Sequence, residues 1–259
     1  MPRAAEIAAM KGSRKIVAVT SYDYPTASIC GGAGADVLLV GDSAGMVVLG
    51  RRDTLGVTMG EMCIFTGAVA RGSKGALVVS DMPFMSYQAS VRDAVRNAGR
   101  LARAGAGAVK LEGADLAAIR AITAAGIPVM GHIGVQPQSA AFGGYAARGT
   151  DPGDADLLAG QARGIEEAGA FCIVLERVAG AAAARITGEV GIPTIGIGSG
   201  PGCDGQVLVI HDMLGLYPDM RPPFAKIYDD LGARAAGAVS RYAEEVRSGA
   251  FPAGEHTVG

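Results

Sequence analysis

Val37-Leu38-Leu39-Val40-Gly41-Asp42-Ser43 is the stretch whose reading decides the rest. Four apolar residues in a row, without polar alternation, predict a short strand buried on both faces, as in a parallel sheet covered by helices. The acid arrives where the strand stops. That C-terminal lip is where parallel α/β folds place their chemistry. Taken alone, Asp42 reads equally well as a cap for a following helix.

Working outward, the same design recurs. Residues 32–43 (GAGADVLLVGDS), 103–113 (RAGAGAVKLEG) and 167–177 (EAGAFCIVLER) share a helix end, a Gly-Ala turn, a strand and an acid at the strand's end. Residues 123–133 (TAAGIPVMGHI) and 189–199 (EVGIPTIGIGS) form a second pair. Such internal repetition is the mark of βα units. Strands are predicted at 15–19, 37–40, 76–80, 108–112, 127–134, 171–176, 192–198 and 207–210. Helices are predicted at 25–34, 59–71, 91–104, 116–125, 154–168, 179–190 and 224–248, with a short helical segment at 4–11 and a loop over 137–149. Eight such repeats give an α/β chain folded as a (β/α)8 TIM barrel, with a doubly wound sheet as the competing arrangement. No linker-like stretch divides the chain, so residues 1–259 read as one barrel domain.

Composition narrows the function classes. With 49% hydrophobic residues, 40 Gly, no Trp and a net charge of -2, the chain is neither disordered nor fibrous. The charges are scattered without a basic cluster, which argues against nucleic acid or an anionic membrane surface as a partner. Cys30, Cys63, Cys172 and Cys203 lie far apart, without a CxxC pair or a His at metal spacing, and read as structural thiols. No apolar run approaches the ~18 to 20 residues of a membrane helix and no leader pattern is present, so a cytoplasmic location is expected.

With this parsing Asp42, Asp81, Glu112, His132 and Glu176 come from strands two to six and converge on one rim. Clustered carboxylates repel unless something positive sits among them. Oxygen donors without Cys point to a hard cation such as Mg²⁺, or another divalent metal. Lys110 lies two residues before Glu112, so both face the barrel interior. It either holds an anionic substrate or pairs with a neighbouring acid. Glu176 ends the most apolar of these strands, and desolvation there suits it to general-base work. His132 reads equally as a functional or a hydrogen-bonded structural residue. The glycine-rich run 196–202 lacks the Lys-Ser/Thr of a phosphate loop and is read as a close-packed rim loop.

Nearly end to end, the chain resembles the ketopantoate hydroxymethyltransferase family. The resemblance is carried by TSYDYPTA, LLVGDSAGMVVLG, VVSDMPFMSY, AVKLEG, GIPVMGHIG with PQS, FGGY, EAGAFCIVLE and IPTIGIGSGPGCDGQVLVIHDMLGL. It implies a barrel in which Asp42 and Asp81 bind Mg²⁺, with Glu112 completing the site directly or through water. Ser43 and Lys110 would hold a 2-oxo acid, with Asp42, Asp81 and His132 also at the substrate, and Glu176 would take the C3 proton. The implied reaction adds the one-carbon unit of 5,10-methylenetetrahydrofolate to 3-methyl-2-oxobutanoate, through a metal-stabilised enolate, on the way to pantothenate and coenzyme A. A homo-oligomer, often a decamer, is implied too. Phe65, Ala146, Arg177, Ala179 and the stretch around Arg221 depart from the family pattern and bear on folate contacts and acid size. The alternatives are a paralogue acting on a different 2-oxo acid and a Mg-dependent carbon-carbon lyase of a related barrel superfamily. Lyases of that kind usually carry a catalytic Cys in a loop that here, over 137–149, has none.

Overall fold

The structure is a computed structural model that describes residues 4–220 and 222–258. Its eight parallel strands are β1 (Ile16–Thr20), β2 (Val37–Val40), β3 (Leu77–Asp81), β4 (Ala108–Lys110), β5 (Val129–Gly134), β6 (Cys172–Glu176), β7 (Thr194–Ile197) and β8 (Gly205–Leu208). They pair in chain order, and β8 returns to β1 with Ile16 beside Gly205 and Val19 beside Leu208. The sheet therefore has no edge, which excludes the doubly wound arrangement and leaves the (β/α)8 TIM barrel.

Local chemistry explains why the chain alternates so regularly. Asp23, Thr58, Ser90, Asp115 and Asp151 each accept a first-turn backbone N–H of the helices Tyr24–Gly32, Met59–Gly72, Val91–Ala104, Leu116–Ala124 and Pro152–Glu167. Four helix-to-strand turns share one closure. Gly34, Gly105, Gly126 and Gly169 take positive φ. The following N–H then reaches back to the helix, from Ala35 to Cys30, Ala106 to Leu101, Ile127 to Ile122 and Ala170 to Ile165. This is the Schellman closure, whose left-handed residue favours glycine, and it is the physical content of the repeated Gly in the sequence.

Side chains alternate along each strand, so one set fills the barrel. Ile16, Ala18, Val37, Leu39, Leu77, Val79, Ala108, Met130, Cys172, Val174, Ile195 and Val207 form one buried apolar cluster, closed at its N-terminal end by Ala4 and Ile7 of the helix Ala4–Ala8. One further step of the same alternation changes the chemistry. Asp81 follows Val79, Lys110 follows Ala108, His132 follows Met130 and Glu176 follows Val174. The polar residues thus occupy the top layer of a filled barrel.

Four expectations shift. β8 spans Gly205–Leu208 rather than 207–210, because Gly205 pairs with both Ile16 and Ile195 and Ile210 already opens the turn Ile210–Met213. The loop predicted over 137–149 contains the helix Pro137–Gly143, with Pro137 at its first position. Between β2 and the helix Met59–Gly72 lies a further turn, Ala44–Val47. The last helix starts at Leu231 rather than 224, because Asp230 caps it through the Ala233 N–H at 3.1 Å. Arg221 lies outside the described residues. The chain forms two compact units, Met1–Val209 with the barrel and Ile210–Gly259 with the last helix.

Candidate active site

Asp42 caps no helix. It is 4% exposed, and its Oδ2 accepts from Gln138 Nε2 at 2.7 Å. The turn that follows starts at Ser43 without a side-chain cap. The Asp42 backbone N–H donates to Asp81 Oδ2 at 3.1 Å, tying the lips of β2 and β3 together. Lys110 Nζ donates to Asp81 Oδ1 at 2.8 Å, as the direct register of Asp81 with Lys110 allows. Lys110 is thus paired with an acid while standing at the mouth.

His132 lies between the other two acids. Its Nε2 is 2.9 Å from the Val135 carbonyl, which only accepts, so Nε2 carries the hydrogen. Nδ1 is then bare; it is buried without a hydrogen-bond partner and sits 3.7 Å from Glu112 Oε1. On the other side Glu176 Oε2 is 3.5 Å from Nε2. Burial, and then the charge of Lys110, holds the His132 pKa well below its usual value, so the ring is neutral.

The electrostatics follow from burial and crowding. Desolvation, reinforced by Asp81, raises the Asp42 pKa to about 7. Desolvation and then Asp42 raise Glu112 well above the carboxylate range. Glu176 is pushed up to about 8 by desolvation, against the lowering charge of Lys110. Burial works against the Lys110 ammonium, but Asp81, Glu112 and Asp42 outweigh it and raise its pKa. Three buried carboxylates, with the partly buried Glu176 beside them, therefore share one ammonium. Among the described residues no three His, Cys, Asp or Glu side chains close around one point as metal ligands.

Backbone geometry fixes Glu176. Gly134 has φ +99°, and a Cβ there would sit 2.2 Å from the Glu176 carbonyl oxygen. The two residues are direct partners across β5 and β6, so only a glycine lets the strands approach at this level. Arg177, the next residue, has φ +48° and donates its N–H to the Ile197 carbonyl at 2.8 Å. The run 196–202 behaves as a packed rim. Ser199 Oγ donates to the Leu175 carbonyl at 2.7 Å and accepts from the Val178 N–H at 3.0 Å.

The structure brings Asp42, Asp81, Lys110, Glu112, His132 and Glu176 together, as the strand-end reading required. Ser43 stands beside them with its Oγ 2.8 Å from Tyr22 OH. Gln138 and Tyr87 were not legible as site residues. Gln138 lies on the helix Pro137–Gly143, and the Pro at its start is the signal that marks a helix there. Tyr87 OH donates to the Glu112 carbonyl at 3.0 Å and accepts from the Glu112 N–H at 3.1 Å. Above them Phe142 is 76% exposed, with its ring centroid 6.2 Å from that of Phe84. Tyr145 feels the site's charge, its pKa raised by burial and then by Glu176.

A family model for ketopantoate hydroxymethyltransferase matches residues 2–254. A 3-methyl-2-oxobutanoate hydroxymethyltransferase of Cenarchaeum symbiosum (strain A) is 61% identical over 96% of this chain and 95% of its own length. One from Nitratidesulfovibrio vulgaris (strain DP4) is 54% identical over 98% of this chain and 84% of its own. One from Staphylothermus marinus is 52% identical over 97% and 93%. Among solved structures, 2,3-dimethylmalate lyase, a PEP mutase/isocitrate lyase superfamily member, superposes with a TM-score of 0.62 at 17% identity, covering 100% of this chain and 93% of that one. That likeness concerns the fold alone. The full-length family match and relatives at 52% to 61% identity decide the assignment: this chain belongs to the ketopantoate hydroxymethyltransferase family.

Proposed function

We propose that this protein is a 3-methyl-2-oxobutanoate hydroxymethyltransferase that uses 5,10-methylenetetrahydrofolate and a divalent cation, Mg²⁺ first, to make 2-dehydropantoate for pantothenate and coenzyme A. The observation that carries the reading is the mouth of the barrel, where the buried Asp42, Asp81 and Glu112 and the partly buried Glu176 crowd around Lys110, with the Glu176 carboxyl pushed up to about 8. Buried charge of one sign calls for a counter-charge.

The donors fit a hard cation. Mg²⁺ is usually bound through one or two carboxylates, with waters and substrate oxygens completing its shell. Asp42 and Asp81, tied lip to lip, would hold it, with Glu112 directly or through water. A closed cage of three carboxylates is not needed. When bound, the cation supplies positive charge that acidifies the C3–H of a 2-oxo acid lying against it. The chain does the rest. Lys110 and Ser43 orient the acid's oxygens, and the neutral His132 offers its bare Nδ1 as an acceptor. Glu176 takes the C3 proton onto a carboxylate oxygen made basic by its apolar strand. C3 bonds to the folate's methylene carbon, whose two C–N bonds break as water supplies the hydroxyl, and the proton held by Glu176 and the one left by water go to the two nitrogens of the departing tetrahydrofolate. The ring faces of Phe84, Phe142 and Tyr145 at the rim suit a flat pterin.

Assembly and location belong to the same proposal. The helix Leu231–Ser248 has no buried residue, and Val239, Tyr242 and Val246 are 65%, 55% and 45% exposed along one face. That face supports a homo-oligomer, with the decamer implied by the family resemblance as its form. All four cysteines are free thiols, in keeping with the cytoplasm. Among the described residues no helix is long and apolar enough to cross a membrane.

Purified protein assayed with Mg²⁺, 5,10-methylenetetrahydrofolate and a panel of 2-oxo acids tests the reading. The expected result is the highest kcat/KM with 3-methyl-2-oxobutanoate. Preference for another acid would make the protein a paralogue of shifted specificity, with Arg177 beside the base as the first place to look. No condensation with any acid would overturn it.

A further inference from the structure

The helix Pro137–Gly143 sends one side chain down into the carboxylates. Gln138 is 1% exposed and touches groups from three strand ends. Its two Nε2 hydrogens go to Asp42 Oδ2 at 2.7 Å and to the Met82 carbonyl at 2.9 Å. Its Oε1 accepts from Gln88 Nε2 at 3.4 Å and, at 3.1 Å, shares the single Tyr87 hydroxyl hydrogen with the Glu112 carbonyl. Its backbone N–H donates to Glu112 Oε2 at 3.1 Å. The carbonyl fixes which end of the amide is the nitrogen, since it can only accept. An uncharged group with two hydrogens and an acceptor satisfies every partner. A carboxylate of the same shape would set an acceptor against Asp42 Oδ2 and the Met82 carbonyl, and an apolar side chain would leave that carbonyl short of a donor.

We infer that Gln138 is a positioning residue that clamps Asp42 and Glu112 through one oxygen each and leaves the other oxygen of each aimed at the reacting site. Tyr87 is its buttress, accepting from the Glu112 N–H and sharing its one hydroxyl hydrogen between the Glu112 carbonyl and the Gln138 amide oxygen. A segment between β5 and β6 thereby sets the acids of β2 and β4. The inference rests on the proposed function and deepens it.

The test uses Gln138→Met, which keeps length without donors, Gln138→Glu, which keeps shape without the amide, and Tyr87→Phe. Each is compared with wild type for melting temperature, kcat and KM for the oxo acid, and Mn²⁺ affinity read by electron paramagnetic resonance without substrate. Outer-shell partners of this kind are worth about 10- to 100-fold in metal affinity or activity. Gln138→Met is expected to lose that much in kcat and in Mn²⁺ affinity with the KM for folate unchanged. Gln138→Glu should fail to restore kcat, and Tyr87→Phe should move the same quantities a few-fold. Wild-type kcat and Mn²⁺ affinity in Gln138→Met would overturn the clamp. If Gln138→Met does not fold, unchanged values in Tyr87→Phe would do so. Should wild type turn over no 2-oxo acid, the functional reading fails by itself. The clamp is then decided by crystal structures of the variants: rotated Asp42 and Glu112 carboxylates uphold it, and unmoved ones overturn it.

Discussion

At the N-terminal floor of the barrel Lys11 Nζ meets Asp204 Oδ2 at 2.9 Å and the Thr187 carbonyl at 2.6 Å, and the Thr194 N–H donates to the same carboxylate at 2.9 Å. At the C-terminal mouth Asp42, Asp81, Glu112 and Glu176 share the single ammonium of Lys110. The floor balances one cation with one anion over a plug of Ala4 and Ile7. The mouth crowds four carboxyl groups around one ammonium, and the raised pKa values of Asp42, Glu112 and Glu176 show that ionising them all there costs stability. The difference sets a balanced ion pair at the floor against crowded carboxyl groups with shifted pKa values at the mouth, where the proposed chemistry lies, on one continuous set of strands.

The comparison can be broken at either end. The largest effect is expected from Glu176→Gln, which removes the base without changing its shape. Deuterium exchange at C3 of 3-methyl-2-oxobutanoate, followed by NMR, should fall about 10²- to 10⁴-fold while the protein melts no lower than wild type. Exchange at the wild-type rate would remove Glu176 from the mechanism. At the floor Ile7→Ala should do the reverse. Ile7 is fully buried, so truncation should cost about 2–5 kcal/mol in denaturant titrations and leave kcat unchanged. A kcat change matching that of a mouth variant would show the two ends to be coupled.

Smaller effects sharpen the contrast. Lys11→Met removes a charged hydrogen-bond donor from a largely buried pair. It should cost about 1.5–3 kcal/mol, again without a kinetic change. The smallest effect per step is a pH slope. Asp42 is held at about 7 against an ordinary 3.8, and Glu176 at about 8 against 4.5. Between those values the folded protein keeps protons that the unfolded chain has released. The stabilisation is complete below the ordinary values and is lost as pH rises through about 7 to 8. Its slope reaches about 1.4 kcal/mol per pH unit for each group. Thermal melts in the presence of a chelator should therefore decline from about pH 5 to 8, and Asp42→Asn should flatten the decline. An unchanged slope in that variant would mean that the mouth is less strained than its geometry implies.

Much of this was legible in the chain. Apolar runs of four or five residues ending in an acid marked β2, β3 and β6, and the repeated Gly marked turns that close only with a left-handed residue. Asp81, Lys110, His132 and Glu176 were readable because side-chain alternation along a strand is local. β8 was displaced by two residues, since its start is set by pairing with β1 and β7 rather than by its own composition. The helix Pro137–Gly143 was hidden among small and polar residues whose periodicity is weak.

By itself the sequence determined the order of strands and helices, the rim on which the acids lie and the family. Those depend on periods of two and 3.6 residues, on caps and on blocks of residues contiguous in the chain. The tertiary structure alone decided which acids touch. It paired Lys110 with Asp81, set His132 between Glu112 and Glu176, and brought Gln138 from 96 residues away onto Asp42. Barrel closure makes these contacts between groups distant along the chain, and their hydrogen bonds and shifted pKa values exist only once water has been excluded from the mouth.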